Sequence, residues 1–384
     1  MGAMALLPLH NASSSFSFST FTNSFSPLFA MLATASPSFS CCFGSSIHSK
    51  ALNATVKSSC HAQQRPEPVI MHNRIGVLSP CLQQHHHCPS IVYAAAPSGQ
   101  DAVTAIKPGV PSPPFNVLIT GSTKGVGYAL AREFLVAGDR VIICSRSDER
   151  VRTTLQDLTK EYGKHQVLGK SCDVRDSNSI RELIAFAKSS LGYVDIWINN
   201  AGSNAYTFKP LVETSDAAIN EIVETNMIGV MICCREAIKM MVEQPRGGHI
   251  FNMDGAGADG GATPRFAAYG ATKRSLTQFT KTLQAELRMQ RVNNVILHSL
   301  SPGMVTTDLL MSGSDTEQAR FFINVLAEPP DVVAKYLVPR IRCIPGDPKG
   351  KSTYIRFLTG FKAYSRLIAR ILFRARKNRY VNED

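Results

Sequence analysis

Phe115-Asn116-Val117-Leu118-Ile119-Thr120-Gly121-Ser122-Thr123-Lys124-Gly125-Val126-Gly127 decides the fold of this chain. The apolar run reads as a strand buried on both faces, followed by a tight turn and then a helix that begins near Gly125. A helix N-terminus exposes unpaired N–H groups and a positive dipole end, which suits a pyrophosphate. Glycines permit both the turn and a close approach of backbone to ligand. The spacing is GxxxGxG, not the GxGxxG of the general dinucleotide fingerprint. Taken alone, the loop could be a turn with no ligand.

Working outward, strands read at 115–120, 140–144, 166–172, 194–198, 248–253 and 293–299, with helical patterns between them. Such an alternation predicts an α/β fold: a doubly wound, mostly parallel, Rossmann-like sheet with helices on both faces. The domain spans about 110–345 and is long enough for a substantial core. No apolar run reaches the roughly 18 to 20 residues that a bilayer crossing needs.

Further segments fall where open α/β sheets bind ligands, at the carboxyl ends of strands. They are Ser145-Arg146-Ser147, Cys172-Asp173-Val174, Asn199-Asn200-Ala201-Gly202 and Ser301-Pro302-Gly303-Met304-Val305. Asn226 sits in a long predicted helix, and Tyr269-Gly270-Ala271-Thr272-Lys273 sets a phenol and an ammonium one helical turn apart. A phenol of pKa about 10 is a poor acid–base group near neutrality, and a neighbouring ammonium favours its phenolate.

In this order, TGxxxGxG, NNAG, Asn, YxxxK and PG resemble the short-chain dehydrogenase/reductase family over about residues 112 to 310. The resemblance implies that Tyr269 donates a proton to a substrate carbonyl as hydride reaches its carbon. Lys273 would tune Tyr269 and hold the nicotinamide ribose, and Asn226 would position a water that links Lys273 to solvent. The implied cofactor contacts are Gly121, Ser122, Thr123, Lys124, Gly125, Val126, Gly127, Ser145, Arg146, Asp173, Val174, Asn200, Ala201, Gly202, Tyr269, Lys273, Pro302, Gly303 and Val305. No acidic residue ends the second strand to bond a ribose hydroxyl. Arg146 offers a planar fork for a 2′-phosphate, with Lys124 as a second charge, which favours NADPH and leaves NADH possible. A solvated Arg146 is the alternative.

One departure from the family pattern is plain. A Ser thirteen residues before the Tyr would fall at Ala256, or at Gly255 if the loop holds one extra residue. Asp254 could substitute if protonated, whereas an ionised carboxylate would oppose phenolate formation. Four glycines, Gly255, Gly257, Gly260 and Gly261, suggest a wide, flat site, with Leu309-Leu310-Met311 adding apolar surface.

Within the family, Phe251–Gly257, Tyr269–Arg274 and Ser301–Leu310 resemble the chlorophyll(ide) b reductases, in their non-yellow-coloring-like branch. That likeness implies reduction of the C7 formyl of chlorophyll b or chlorophyllide b to 7-hydroxymethyl chlorophyll(ide) a. Alternatives are another plastid carbonyl reductase, such as a 3-oxoacyl carrier-protein reductase, and a non-catalytic scaffold that partners a catalytic homologue in a hetero-oligomer.

The two ends differ from the middle. Residues 1–95 read as a chloroplast transit peptide and disordered linker: thirteen of the first 50 residues are Ser, the first 100 hold one acid, Glu67, and no Arg precedes Arg65. The cysteines show no CxxC or zinc spacing, and His85-His86-His87 beside Cys81 and Cys88, which could bind a metal in isolation, fall in the segment read as presequence, so no metal is expected. The formal net charge of +12 is concentrated at the other end, where Arg340 to Arg379 hold twelve Lys or Arg against Asp347. Residues 346–384 read as a basic amphipathic extension, with Lys362, Arg366, Arg370 and Arg374 every four residues. It suits the stromal side of a thylakoid membrane, a light-harvesting pigment complex or an acidic protein, or it is a solvated helix. No nucleic-acid motif accompanies it.

Overall fold

The computed structural model describes residues 111–383 apart from 314, 348 and 349; the segment read as presequence and linker at 1–95 lies outside the described residues. Seven strands form one sheet: β1 Asn116–Thr120, β2 Arg140–Ser145, β3 Val167–Ser171, β4 Ile196–Asn199, β5 Gly248–Met253, β6 Val295–Ser301 and β7 Tyr354–Arg356. Their order is β3-β2-β1-β4-β5-β6-β7, and every pairing is parallel. The six expected strands are present, with β4 and β6 beginning two residues later than their sequence patterns. The seventh comes from the segment that reads as a basic tail.

Alternation along the strands feeds two cores. Val117 and Ile119 of β1 and Val141 and Ile143 of β2 pack on one face with α1 (Gly125–Val136) and α9 (Pro330–Arg342). Leu118 and Ile142, between them, pack on the other face with Trp197 and with α3 (Ser177–Leu191), α5 (Gly229–Val242) and α6 (Ala267–Met289). Each fully buried Ile, Leu or Phe contributes about 1.5–3 kcal/mol relative to exposure. That is why runs apolar on every residue, not alternate residues, form these strands.

Connecting β2 to β3 is α2 (Asp148–Tyr162), started by the Ser147 hydroxyl, which accepts from the Arg150 N–H. Between β4 and β5, α4 (Asp216–Val223) runs through a π-turn, Glu224–Ile228, straight into α5. This unbroken Asp216–Val242 helix has the length and apolarity to cross a membrane. Here it packs against α3 and α6, and it carries the buried Asn226 at its middle. Short helices α7 (Asp308–Met311) and α8 (Glu317–Leu326) follow β6, and α10 (Gly360–Phe373) follows β7.

α10 corrects the sequence reading in orientation. Its arginines do not form an outward basic face. Arg366 pairs with the buried Glu328, and Arg370, 9% exposed, pairs with Glu383. Arg376 and Arg379 close on the same Glu328 carboxylate at 3.0 and 3.1 Å. The apolar residues Phe361, Ile368, Ile371 and Leu372 point to solvent instead, Phe361 at 86% exposure. A buried carboxylate surrounded by guanidinium groups explains the inversion: three arginines and the Tyr380 hydroxyl compensate the desolvation of Glu328, which no apolar face could do.

Candidate active site

Strand order reverses between β1 and β4, so the loops leaving their carboxyl ends diverge and leave a crevice. The two loops are tied together. Thr120 Oγ1 accepts from the N–H groups of Asn200 and Ala201 at 3.1 Å each, and Asn200 Nδ2 donates to the carbonyls of Thr120 and Gly121 at 3.0 Å each. A Cβ at Gly127 would lie 2.4 Å from both Asn200 Nδ2 and the Gly121 carbonyl oxygen, so only glycine lets α1 start so close beneath the turn. Gly121, at φ +64°, has Ala201 Cα 2.9 Å from where a side chain would begin.

A cleft of about 930 Å³ runs from these loops across the carboxyl edge of the sheet. At one end lie Ser145, Arg146, Asp173 and Val174. In the middle lie Gly121, Thr123, Lys124, Gly125 and Val126, facing Asn200, Ala201 and Gly202. Tyr269, Lys273, Pro302, Gly303 and Val305 line the far end. Three expected residues do not line it. Ser122 is buried, donating to the Ile119 carbonyl at 2.7 Å and accepting from the Cys144 N–H. Gly127 packs under the turn, and Asn226 lies behind the wall.

Several lining side chains are already engaged. Lys124 Nζ donates to Tyr206 Oη at 2.7 Å and meets Asp308 Oδ2 at 3.0 Å, bridging three loops over the cleft. Arg146 meets Glu221 at 3.5 Å, and both Asp173 oxygens accept from Arg175.

At the far end, the π-turn presents Asn226 to the loop after β4: its Oδ1 accepts from the Ser203 N–H and its Nδ2 donates to the Ser203 carbonyl, both at 2.8 Å. Nδ2 also donates to Thr272 Oγ1 on α6. π-turns often sit at functional sites. Lys273 Nζ donates to the Met253 carbonyl at 3.1 Å and lies 5.6 Å from the Tyr269 ring. Burial lowers its pKa to about 8, against an opposing pull from the Asp254 charge. The Tyr269 phenol is pushed up, first by burial and then by Asp254. Burial therefore outweighs the lowering by Lys273 that the sequence spacing suggests, and the hydroxyl keeps its proton, the form that a carbonyl reduction consumes.

The glycine loop after β5 also differs from expectation. A Cβ at Gly255 would lie 2.4 Å from Tyr269 Oη, so Gly255, not Ala256, faces the phenol, which fills the space a side chain there would need. Of the four glycines only Gly255 lines the cleft. Gly257 instead packs on Gly270 of α6, 2.9 Å from a would-be Cβ, and Gly260 lies over Arg274. The apolar wall comes from Met253, Phe266, Met304, Leu309 and Leu310. Sequence reasoning missed Tyr206, Asp308 and Phe266, whose proximity to the cleft follows from loop paths rather than spacing.

These features are those of a nucleotide-dependent oxidoreductase. The sequence profile described as short chain dehydrogenase matches residues 116–318. The chain belongs to the short-chain dehydrogenase/reductase family and is an NAD(P)H-dependent oxidoreductase. It is 67% identical over 272 residues, 71% of this chain and 79% of the relative, to the chloroplastic chlorophyll(ide) b reductase NOL of Oryza sativa. The Arabidopsis thaliana protein of that name is 66% identical over 273 residues, 71% of this chain and 78% of the relative. Among solved structures, a serine dehydrogenase complexed with NADP+ aligns at TM-score 0.54 and 27% identity, covering 64% of this chain and 94% of that one.

Proposed function

We propose that the protein reduces the C7 formyl of chlorophyll b or chlorophyllide b to the hydroxymethyl, with NADPH as the preferred hydride donor. The observation that carries this reading is the two-thirds identity to two plant proteins of that name. The site supports it: a phenol that holds its proton stands beside a glycine, at the edge of an apolar wall open enough for a flat ring system. The residues fit a dinucleotide, because Gly121 and Gly127 let the turn pack closely on the loop after β4 and bring the N-terminus of α1 to the cleft, where its unpaired N–H groups would suit a diphosphate.

The bound cofactor supplies the hydride. Tyr269 would give its proton to the formyl oxygen and recover one from Lys273, which would also hold the cofactor's ribose; Asn226 fixes the loop at Ser203 and would position the water through which Lys273 regains its proton. Arg146 takes the 2′-phosphate by leaving Glu221, an exposed pair that costs little to break.

The site of action in this reading is the stromal side of the thylakoid membrane, as a peripheral protein. The outward apolar face of α10 supports it, with exposed Arg374 and Lys377 at its end. Apolar side chains would enter the interface while the basic residues meet anionic headgroups at about 1 kcal/mol each. Light-harvesting complexes and a homologous reductase are the protein partners this face would also suit.

The test is incubation of the purified protein with NADPH and chlorophyllide b, followed by pigment chromatography. The 7-hydroxymethyl product is expected from the single chain, which also removes the scaffold alternative. Turnover of a 3-oxoacyl carrier-protein substrate with none of the pigment would overturn the reading.

A further inference from the structure

Asp254 follows β5 directly and lies between Met253, whose carbonyl holds Lys273, and Gly255, which faces Tyr269. Its carboxyl is 7% exposed and lines the same cleft as Tyr269 and Lys273. One oxygen, Oδ2, accepts from the hydroxyl of Tyr354 on β7, a hundred residues away. The other, Oδ1, is buried and makes no close hydrogen bond, although the Ser301 side chain is near enough to favour the ionised carboxyl. A buried carboxyl oxygen left unpaired beside a reactive centre is costly, and the cost is recovered when a ligand pairs with it.

We propose that the Asp254 carboxyl, fixed by Tyr354, is the second hydrogen-bonding group for the substrate's carbonyl oxygen, beside Tyr269. The inference rests on the carbonyl-reductase reading above. It assigns the orienting role to a residue one position before the glycine, because Tyr269 leaves no room for a side chain at 255. With Tyr354 donating to Oδ2, a protonated carboxyl carries its own O–H on Oδ1, which is buried here and reaches the cleft that Asp254 lines by a turn of the side chain. Asp254 is then a catalytic residue, and Tyr354 a positioning residue that acts through it.

Protonation is within reach. Burial raises Asp254 to about 6, against the opposing effects of Tyr354, Ser301 of β6, Lys273 of α6 and Arg356 of β7. Tyr269, the remaining titratable group that faces it, is itself raised by the Asp254 charge, so ionising the carboxyl and using the phenol oppose each other. Reduction should therefore run best with Asp254 neutral.

The experiment is the pH profile of kcat/KM, which reports ionisations of the free enzyme, for the wild type, Asp254→Asn, Asp254→Ala and Tyr354→Phe. Two substrates are used, chlorophyllide b and a small aromatic aldehyde. The wild type should lose kcat/KM as pH rises through about 6, where Asp254 ionises. Asp254→Asn keeps a donor that does not titrate, so this limb should vanish. Tyr354→Phe removes a hydroxyl that favours the ionised form, so the limb should move to higher pH. Asp254→Ala should lower kcat/KM on the order of 10²-fold, with nucleotide binding, followed by NADPH fluorescence, unchanged.

A limb unmoved in both Asp254→Asn and Tyr354→Phe would overturn the proposal, as would an Asp254→Ala variant within about twofold of wild type. If Asp254→Ala does not fold, the other two profiles decide. Wild-type turnover of the small aldehyde but not of the pigment would instead refute the pigment reading, leaving the limb to test Asp254.

Discussion

The two ends of the cleft are built on different terms. At the nucleotide end, close contacts join backbone to backbone: Gly121 against Ala201, and Gly127 against the Gly121 carbonyl. The residues in those contacts are small, and the requirement is shape. At the substrate end the contacts are between side chains from distant segments, with Asp254 meeting Tyr354 across a hundred residues and Asn226 meeting Thr272 across 46. A shape requirement is written as glycine spacing within a dozen residues. A side-chain constellation is written nowhere locally, so the substrate end is free to change its chemistry while the nucleotide end stays recognisable.

Four substitutions would break or sharpen that contrast. The largest effect belongs to Tyr269→Phe, which removes the proton donor and keeps the ring. Turnover should fall about 10²- to 10⁴-fold, the usual scale for general acid catalysis, with NADPH binding retained. Near-normal turnover would mean that the proton comes from elsewhere. Next is Gly255→Ser, which puts a hydroxyl back at the chain position where the family usually carries one. Because its Cβ would fall 2.4 Å from Tyr269 Oη, the phenol must shift, and turnover should drop on the order of 10²-fold. A gain would show that the loop opens more readily than its packing on α6 indicates.

The third substitution, Glu328→Ala, leaves Arg366, Arg376 and Arg379 without their shared carboxylate. Thermal unfolding should report a loss of about 3 kcal/mol, the low end for a broken buried pair because these guanidinium groups reach solvent. Cofactor contacts should be spared. The smallest effect is expected for Arg146→Ala. Its ion pair is exposed, so NADPH affinity should fall about tenfold with NADH unchanged, the scale of one charged hydrogen bond. Equal losses for both nucleotides would assign Arg146 to the fold.

Chain order alone determined the sheet, the glycine cradle and the Tyr269–Lys273 pair, because each is a short-range pattern. Strands buried on both faces are apolar at every position, turns need glycine at fixed offsets, and a helical turn sets i and i+4 on one side. Ser122 and Gly127 belong to that same motif, yet their distance from the cleft is a matter of burial, which spacing does not express. Tertiary structure decided the rest. It chose Gly255 over Ala256 as the residue facing the phenol, turned α10 so that its arginines point inward, and brought Tyr354 to Asp254. Each depends on which distant partner arrives: Glu328 draws in guanidinium groups because a buried carboxylate must be paired, and β7 reaches Asp254 only by joining the sheet beside β6.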